Sequence, residues 1–271
     1  MKIFAIKDET DLNQKVLAWL IYYEQAKRFY IELPSDADVW ETPLLLSSFL
    51  KRGERTINAY WSEQWVRQRI VPQDRQNLGM ILKENGQRDY DEFQLLKLAS
   101  GRCAQEDYYL EELQELPSEL TDRFEKKIED VIPLREKYVL AFFRNGQVKK
   151  YNAGNYFDGK PEFSPLCANE KLFWDVSVLP GGYGIGWGER QTIPDTELFA
   201  NGFDIPLSLD DFLSFIRIRV VNSKEAEELL GCSRQNIRDL VKRGKLHPIL
   251  NTPKNTLFLK SEIEERMYYD Q

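Results

Sequence analysis

The stretch Asn222-Ser223-Lys224-Glu225-Ala226-Glu227-Glu228-Leu229-Leu230-Gly231-Cys232-Ser233-Arg234-Gln235-Asn236-Ile237-Arg238-Asp239-Leu240-Val241-Lys242-Arg243-Gly244 decides the reading of this chain. It opens as a capping box: Asn222 can accept from the backbone N–H of Glu225, and the Glu225 carboxylate can reach back. Ala226, Leu229 and Leu230 form an apolar stripe, and Gly231 stops the helix. Ser233 is placed to cap a second helix, in which Ile237, Leu240 and Val241 repeat the i, i+3, i+4 burial before Gly244 ends it. Two short helices joined by a tight turn are the helix-turn-helix pattern.

The opposite face of the second helix carries Arg234, Gln235, Arg238, Lys242 and Arg243. Arg234, Arg238 and Lys242 are four residues apart and line up along it. Arg suits the guanine edge, and Gln or Asn, here Gln235 and Asn236, the adenine edge. Beyond Gly244, Lys245-Leu246 and Ile249-Leu250 read as one strand. Asn251-Thr252-Pro253-Lys254-Asn255 reads as a turn and Thr256-Leu257-Phe258-Leu259 as the return strand, together a wing. Ser261-Glu262-Ile263-Glu264 then starts a last helix.

Charge supports a division of labour. The net charge is −7, yet between Lys224 and Lys260 eight cations (Lys224, Arg234, Arg238, Lys242, Arg243, Lys245, Lys254, Lys260) stand against four acids (Glu225, Glu227, Glu228, Asp239). A basic module on an acidic chain is the asymmetry expected when one domain meets phosphate and the rest does not.

The segments Val221–Ala226, Leu229–Gln235, Lys242–Leu246 and Leu259–Ile263 resemble the MerR and excisionase-like winged-helix superfamily. The resemblance implies binding of double-stranded DNA through the second helix and the wing, by Ser233, Arg234, Gln235, Asn236, Arg238, Lys242, Arg243, Lys245 and Lys254. Glu227 departs from the pattern, which carries a small apolar residue there, and Asp239 softens the basic face.

Upstream, the period changes from 3.6 to 2. Tyr138–Phe143, Asn145-Gly146 and Val148–Tyr151 read as a hairpin with a type I′ turn. Asp175–Val178, Pro180-Gly181-Gly182 and Tyr183–Trp187 read as a second, its glycines serving turns and strand edges. With Phe173, Ile193-Pro194-Asp195 and Leu198-Phe199, this block resembles the small α/β family catalogued as domain-of-unknown-function family 2442, which offers no catalytic residues to carry over.

The first part of the chain reads as mainly helical. Ile3–Ile6 and Arg28–Leu33 are strand-like. Helical patterns are expected around Leu12–Gln25, Leu44–Phe49, Trp61–Ile70, Leu78–Leu82 and Phe93–Leu98, with the acidic segment Gln105–Asp130 still periodic. Trp61 and Trp65 are expected inside, with the neighbouring arginines solvated.

The expected fold is therefore α+β and multidomain: a mostly helical domain over 1–133 with a short strand pair, a hairpin-rich α/β domain over 134–206, and a winged helix-turn-helix over 217–271. Its 42% hydrophobic and 13% aromatic content supplies real cores. The single histidine, His247, and three scattered cysteines, Cys103, Cys167 and Cys232, offer no triad, zinc ribbon or disulfide framework. No cofactor, metal or catalytic residue is expected, and no spacing singles out the carboxylates a nuclease would need. No apolar run approaches the ~20 residues of a membrane span, so the expectation is a cytoplasmic protein with no membrane partner. The functional expectation is a DNA-binding regulatory protein, a bacterial transcriptional regulator or antitoxin-like autorepressor. The alternative is a non-enzymatic adaptor whose helix-turn-helix is a docking module. Both leave room for a protein partner or homodimer through the N-terminal or middle domain.

Overall fold

The computed structural model describes residues 1–188 and 190–269. The N-terminal region comprises β1 (Lys2–Asp8), β2 (Ala18–Tyr23), β3 (Arg28–Glu32), α1 (Leu44–Leu50), β4 (Thr56–Ile57), α2 (Ala59–Arg67), α3 (Leu78–Glu84), α4 (Glu92–Leu98), β5 (Tyr108–Leu113) and α5 (Ser118–Glu125). Its centre is a five-stranded antiparallel sheet in the order β4-β3-β2-β1-β5.

The expectation of a mostly helical N-terminal domain is thus corrected, and the segment around Leu12–Gln25 is the central strand β2 rather than a helix. The physical reason is burial on both faces. Phe4, Ile6, Leu20, Tyr22, Phe29 and Ile31 pack against Leu46, Phe49, Trp65, Val66, Phe93 and Leu96 of the helices. On the other face Ile3, Trp19, Ile21 and Tyr30 meet Leu120 and Phe124 of α5. A strand buried on both sides shows a continuous apolar run with no alternation, and such a run cannot be told from a buried helix by periodicity. The acidic segment after Gln105 likewise divides into β5, α5 and a further strand. Helix α2 forms as expected, with Asn58 capping the N–H of Trp61. Its interior differs: Trp65 is buried while Trp61 is 39% exposed, and Arg69 is buried, its guanidinium 3.6 Å from the Trp65 ring centre and paired with Glu106.

The middle region comprises β6 (Ile128–Pro133), β7 (Tyr138–Phe143), β8 (Val148–Asn152), α6 (Ala153–Phe157), α7 (Ser164–Ala168), α8 (Glu170–Phe173), β9 (Ser177–Val178), β10 (Gly184–Gly186), β11 (Thr192–Pro194), α9 (Asp195–Asn201) and β12 (Phe203–Ile205). Two antiparallel sheets, β12-β8-β7-β6 and β11-β10-β9, enclose an aromatic core in which Phe157 stacks on Phe163 and Phe173 on Trp187. Strand β6 precedes residue 134 yet pairs with β7. Both expected hairpins form. The first closes differently from expectation: Gly146 N–H donates to Phe143 O and Phe143 N–H to Gln147 O, and of Asn145 and Gly146 only the glycine has positive φ. That is a three-residue loop with a glycine bulge instead of type I′.

The two regions lock through a buried ionic junction. Lys127 Nζ lies 3.4 Å from Glu32 Oε1 and 2.9 Å from Asp195 Oδ2, and 3.8 Å from the centre of the Tyr183 ring. Arg123 and Thr56 each bond Glu32 Oε2, at 3.0 and 2.9 Å. Tyr183, from the middle region, stacks on Tyr30 with 3.8 Å between ring centres. Gly182 makes this approach feasible: it has φ +81°, and a Cβ there would lie 2.3 Å from Ile128 O. Burial pushes the Asp195 carboxyl above the usual carboxylate range against the pull of Lys127. Burial also pushes the Tyr183 hydroxyl up and carries that of Tyr23 to about 12.

Helix α10 (Leu209–Arg219), absent from the sequence reading, leads into the C-terminal module of β13 (Val220–Asn222), α11 (Ser223–Leu230), α12 (Arg234–Lys242), β14 (Leu250–Asn251), β15 (Thr256–Leu259) and α13 (Lys260–Tyr269). No helix among the described residues is long and apolar enough to cross a membrane.

Candidate nucleic-acid interface

The module is assembled around a small core of Val221, Ala226, Ile237, Leu246, Phe258 and Ile263, with Leu229, Leu230, Cys232, Leu240 and Val241 packed around it. Both helix starts are capped by the residues that local chemistry singles out. The Asn222 side chain accepts from the N–H groups of Lys224 and Glu225, at 2.9 and 3.0 Å, and the Glu225 carboxylate accepts from Asn222 N–H at 2.8 Å. Gly231 ends α11 in the left-handed conformation at φ 61°, where a side chain would be strained. Ser233 Oγ accepts from Asn236 N–H, and Gly244 takes φ 63° after α12.

This arrangement fixes which face of α12 is free. Ile237 is buried, and Leu240 and Val241 are half-buried in the core. Arg234, Gln235, Asn236, Arg238, Lys242 and Arg243 are exposed, as are Ser233, Lys245 and Lys254. Among the described residues, none of Arg234, Arg238, Lys242, Arg243, Lys245 and Lys254 is held in an ion pair. Within α12 the one polar tie is Gln235 Nε2 to Asp239 Oδ1, 3.3 Å. So Asp239, read as softening the basic face, engages a neighbouring amide instead of a cation. Glu227 is half-buried on α11, and its carbonyl accepts from Cys232 N–H.

After α12 the chain crosses to a short hairpin. Its first strand is only Leu250-Asn251, with Ile249 N–H donating to Leu257 O; Lys245-Leu246 is a turn, not part of the strand, and Leu246 serves the core. Thr252 and Asn255 close the loop by mutual backbone bonds, leaving Pro253 and Lys254 at its tip. Strand β15 also pairs with β13, a third strand that the sequence reading did not contain.

The structure adds positioning residues that sequence reasoning missed. Glu262 Oε1 accepts from His247 N–H at 2.9 Å and lies 2.8 Å from His247 Nδ1. Arg266 Nη1 donates to Lys245 O at 3.0 Å. Both contacts tie the segment between α12 and the hairpin to α13. They span 15 and 21 residues, so no local pattern announces them. Among the described residues, no group of three or more His, Cys, Asp or Glu side chains is placed to hold a metal ion.

A family model described as a helix-turn-helix domain matches residues 220–267. That match takes in the C-terminal module and nothing before it. The module is a helix-turn-helix domain, and this class of domain points to DNA binding. The resemblance of the middle region to domain-of-unknown-function family 2442 is not supported by the family comparison. No curated protein and no solved structure matches the chain.

Proposed function

We propose that the protein is a non-catalytic, duplex-DNA-binding regulator that reads DNA through α12 and the β14–β15 hairpin, as a winged module of MerR or excisionase-like type. In this reading α12 enters the major groove, with Arg234, Gln235 and Asn236 at its N-terminal end facing base edges. Arg238, Lys242, Arg243, Lys245 and Lys254 meet phosphates, and Ser233 starts the helix at the groove. The regulatory role is that of a bacterial transcriptional regulator or antitoxin-like autorepressor, acting in the cytoplasm. The observation that carries the reading is the asymmetry of α12: one face sunk in the module core, the other a row of exposed cations that form no ion pair among the described residues.

The test is duplex selection from a random pool with the full chain, followed by binding of the triple variant R234A/R238A/K242A. The expected result is an enriched sequence whose binding the variant loses. Undiminished binding by a folded variant would overturn the reading.

An adaptor role is favoured by a different observation. Trp40 and Tyr60 are 91 and 61% exposed on the N-terminal region, exposed aromatic rings that suit a protein partner. Recovery of one stoichiometric partner together with absent duplex binding at low salt would favour that reading.

A further inference from the structure

Helix α4 stops abruptly, and the stop leaves a space beside the N-terminal sheet. Ser100 and Gly101 follow the helix with φ 50° and 70°, turning the chain back so that Leu110 N–H donates to Ser100 O at 2.8 Å. Strand β5 then runs along β1 with Phe4 opposite Glu112 and Ile6 opposite Leu110. Cross-strand partners share a face, so Phe4, Leu110 and Glu112 all stand on the side of the sheet that α4 packs against. Between α4 and this edge of the sheet lies a cavity of about 140 Å³, partly open to solvent and lined by Phe4, Leu96, Lys97, Ser100, Leu110 and Glu112. Phe4 and Leu96 are buried members of the sheet's main core, so the floor is apolar and fixed.

The rim is polar and its charges are unequal. Glu112 Oε1 accepts from Lys2 Nζ at 3.2 Å, which satisfies that carboxylate from outside the cavity. Lys97 Nζ lies 3.8 Å from Glu112 Oε2, beyond hydrogen-bond reach, on a side chain that is 44% exposed. Ser100 Oγ makes no hydrogen bond among the described residues. Two ammonium groups therefore face one carboxylate, and the donors left over at the cavity are Lys97 Nζ and Ser100 Oγ.

We propose that this cavity binds a small monocarboxylate with an apolar body, its hydrocarbon group against Phe4, Leu96 and Leu110 and its carboxylate at Lys97 and Ser100. Volume sets the body, since an apolar space of roughly 150 Å³ takes one benzene-sized group. Charge sets the head. A carboxylate accepting from an ammonium makes a short, charge-assisted bond, whereas the Lys97–Glu112 pair that it loosens is long and screened by solvent. A dicarboxylate is refused, because its second anion would lie unpaired on the apolar floor or against Glu112. An α-amino group is accommodated, its ammonium taking the Glu112 oxygen that Lys97 leaves. Free acids and apolar amino acids thus share the chemistry the site requires.

Calorimetric titration of the full chain without DNA tests the site independently of the DNA reading. Benzoate and 3-methylbutanoate are expected to bind once per chain with a Kd on the order of 1 mM, the range that one buried group and one ion pair reach. Glutarate, with two carboxylates, and benzyl alcohol, with none, should not bind. K97M keeps the apolar stem and removes the charge at an exposed position. It should weaken benzoate binding about tenfold with an unchanged melting temperature. L110F grows into the cavity from a half-buried position and should abolish binding. Leucine binding more tightly than 3-methylbutanoate would support the site and assign it to amino acids, and the reverse order would support it and assign it to free acids. No binding of any of these monocarboxylates at about 10 mM, or benzoate binding unchanged in K97M or in a folded L110F, would overturn the proposal. Equal binding of benzyl alcohol and benzoate would overturn the carboxylate assignment.

Discussion

Charge is used in opposite ways at the two ends of this molecule. Where the N-terminal and middle regions meet, Lys127 is 2% exposed and sits between Glu32 and Asp195 under the Tyr183 ring. In the C-terminal module, Arg234, Arg238 and Lys242 stand in solvent with no internal ion-pair partner among the described residues. A buried, paired cation fixes geometry, because its only alternative is an unpaired charge in a low-dielectric site. An exposed, unpaired cation contributes little to the fold and remains available to an outside anion. The body is therefore a scaffold locked by its ions, and the module a tool that keeps its ions free.

That contrast can be broken most sharply at the junction. K127M strands Asp195 as a buried carboxylate and removes one partner of Glu32. The expected loss is about 3–5 kcal/mol by denaturant unfolding. A loss below 1 kcal/mol would mean that the junction is not a lock. G182A comes next, since a residue with a side chain must hold φ +81° against the Ile128 carbonyl. About 2–3 kcal/mol is expected in the same assay. In the module, N222A removes both capping bonds at the start of α11, and calorimetry should show about 1 kcal/mol.

The dependence on pH shows only in alkali. Burial raises the Tyr23 hydroxyl to about 12 from an ordinary value of 10, with Tyr30 and Tyr183 moved in the same direction. A raised folded-state value means stability fully present below pH 10, lost progressively as pH rises toward 12. Absorbance at alkaline pH should show these tyrosines ionising only together with unfolding. Free titration near pH 10 in a folded chain would contradict their burial.

The two ends also differed in how far they could be read from sequence. The helix-turn-helix was legible because its signals are local: the Asn222–Glu225 box, Gly231, Ser233 and two stripes of helical spacing. The exposure of Arg234, Gln235, Arg238 and Lys242 follows from those stripes. In the N-terminal sheet Ile3–Ile6 and Arg28–Leu33 were legible as strands, but the central strand between them was hidden because Ala18–Tyr23 is buried on both faces and so lacks alternation. The junction was invisible for another reason: Glu32, Lys127 and Asp195 are distant in the chain, and only the tertiary fold unites them. Strand β13 is three residues long, below the length at which a period can be recognised. Asn145-Gly146 marked its hairpin correctly, while the loop length, set by the pairing of Phe143 with Gln147, chose another turn.

The salt dependence of duplex binding measures the central claim directly. Each cation that meets a phosphate adds about 0.9 to the steepness of log affinity against log salt concentration. With a selected duplex, the full chain should show a steep fall, and R234A/R238A/K242A a slope shallower by about 2, from the loss of the Arg238 and Lys242 phosphate contacts, with unchanged thermal stability. An identical slope in that variant would show that the exposed face of α12 does not meet DNA.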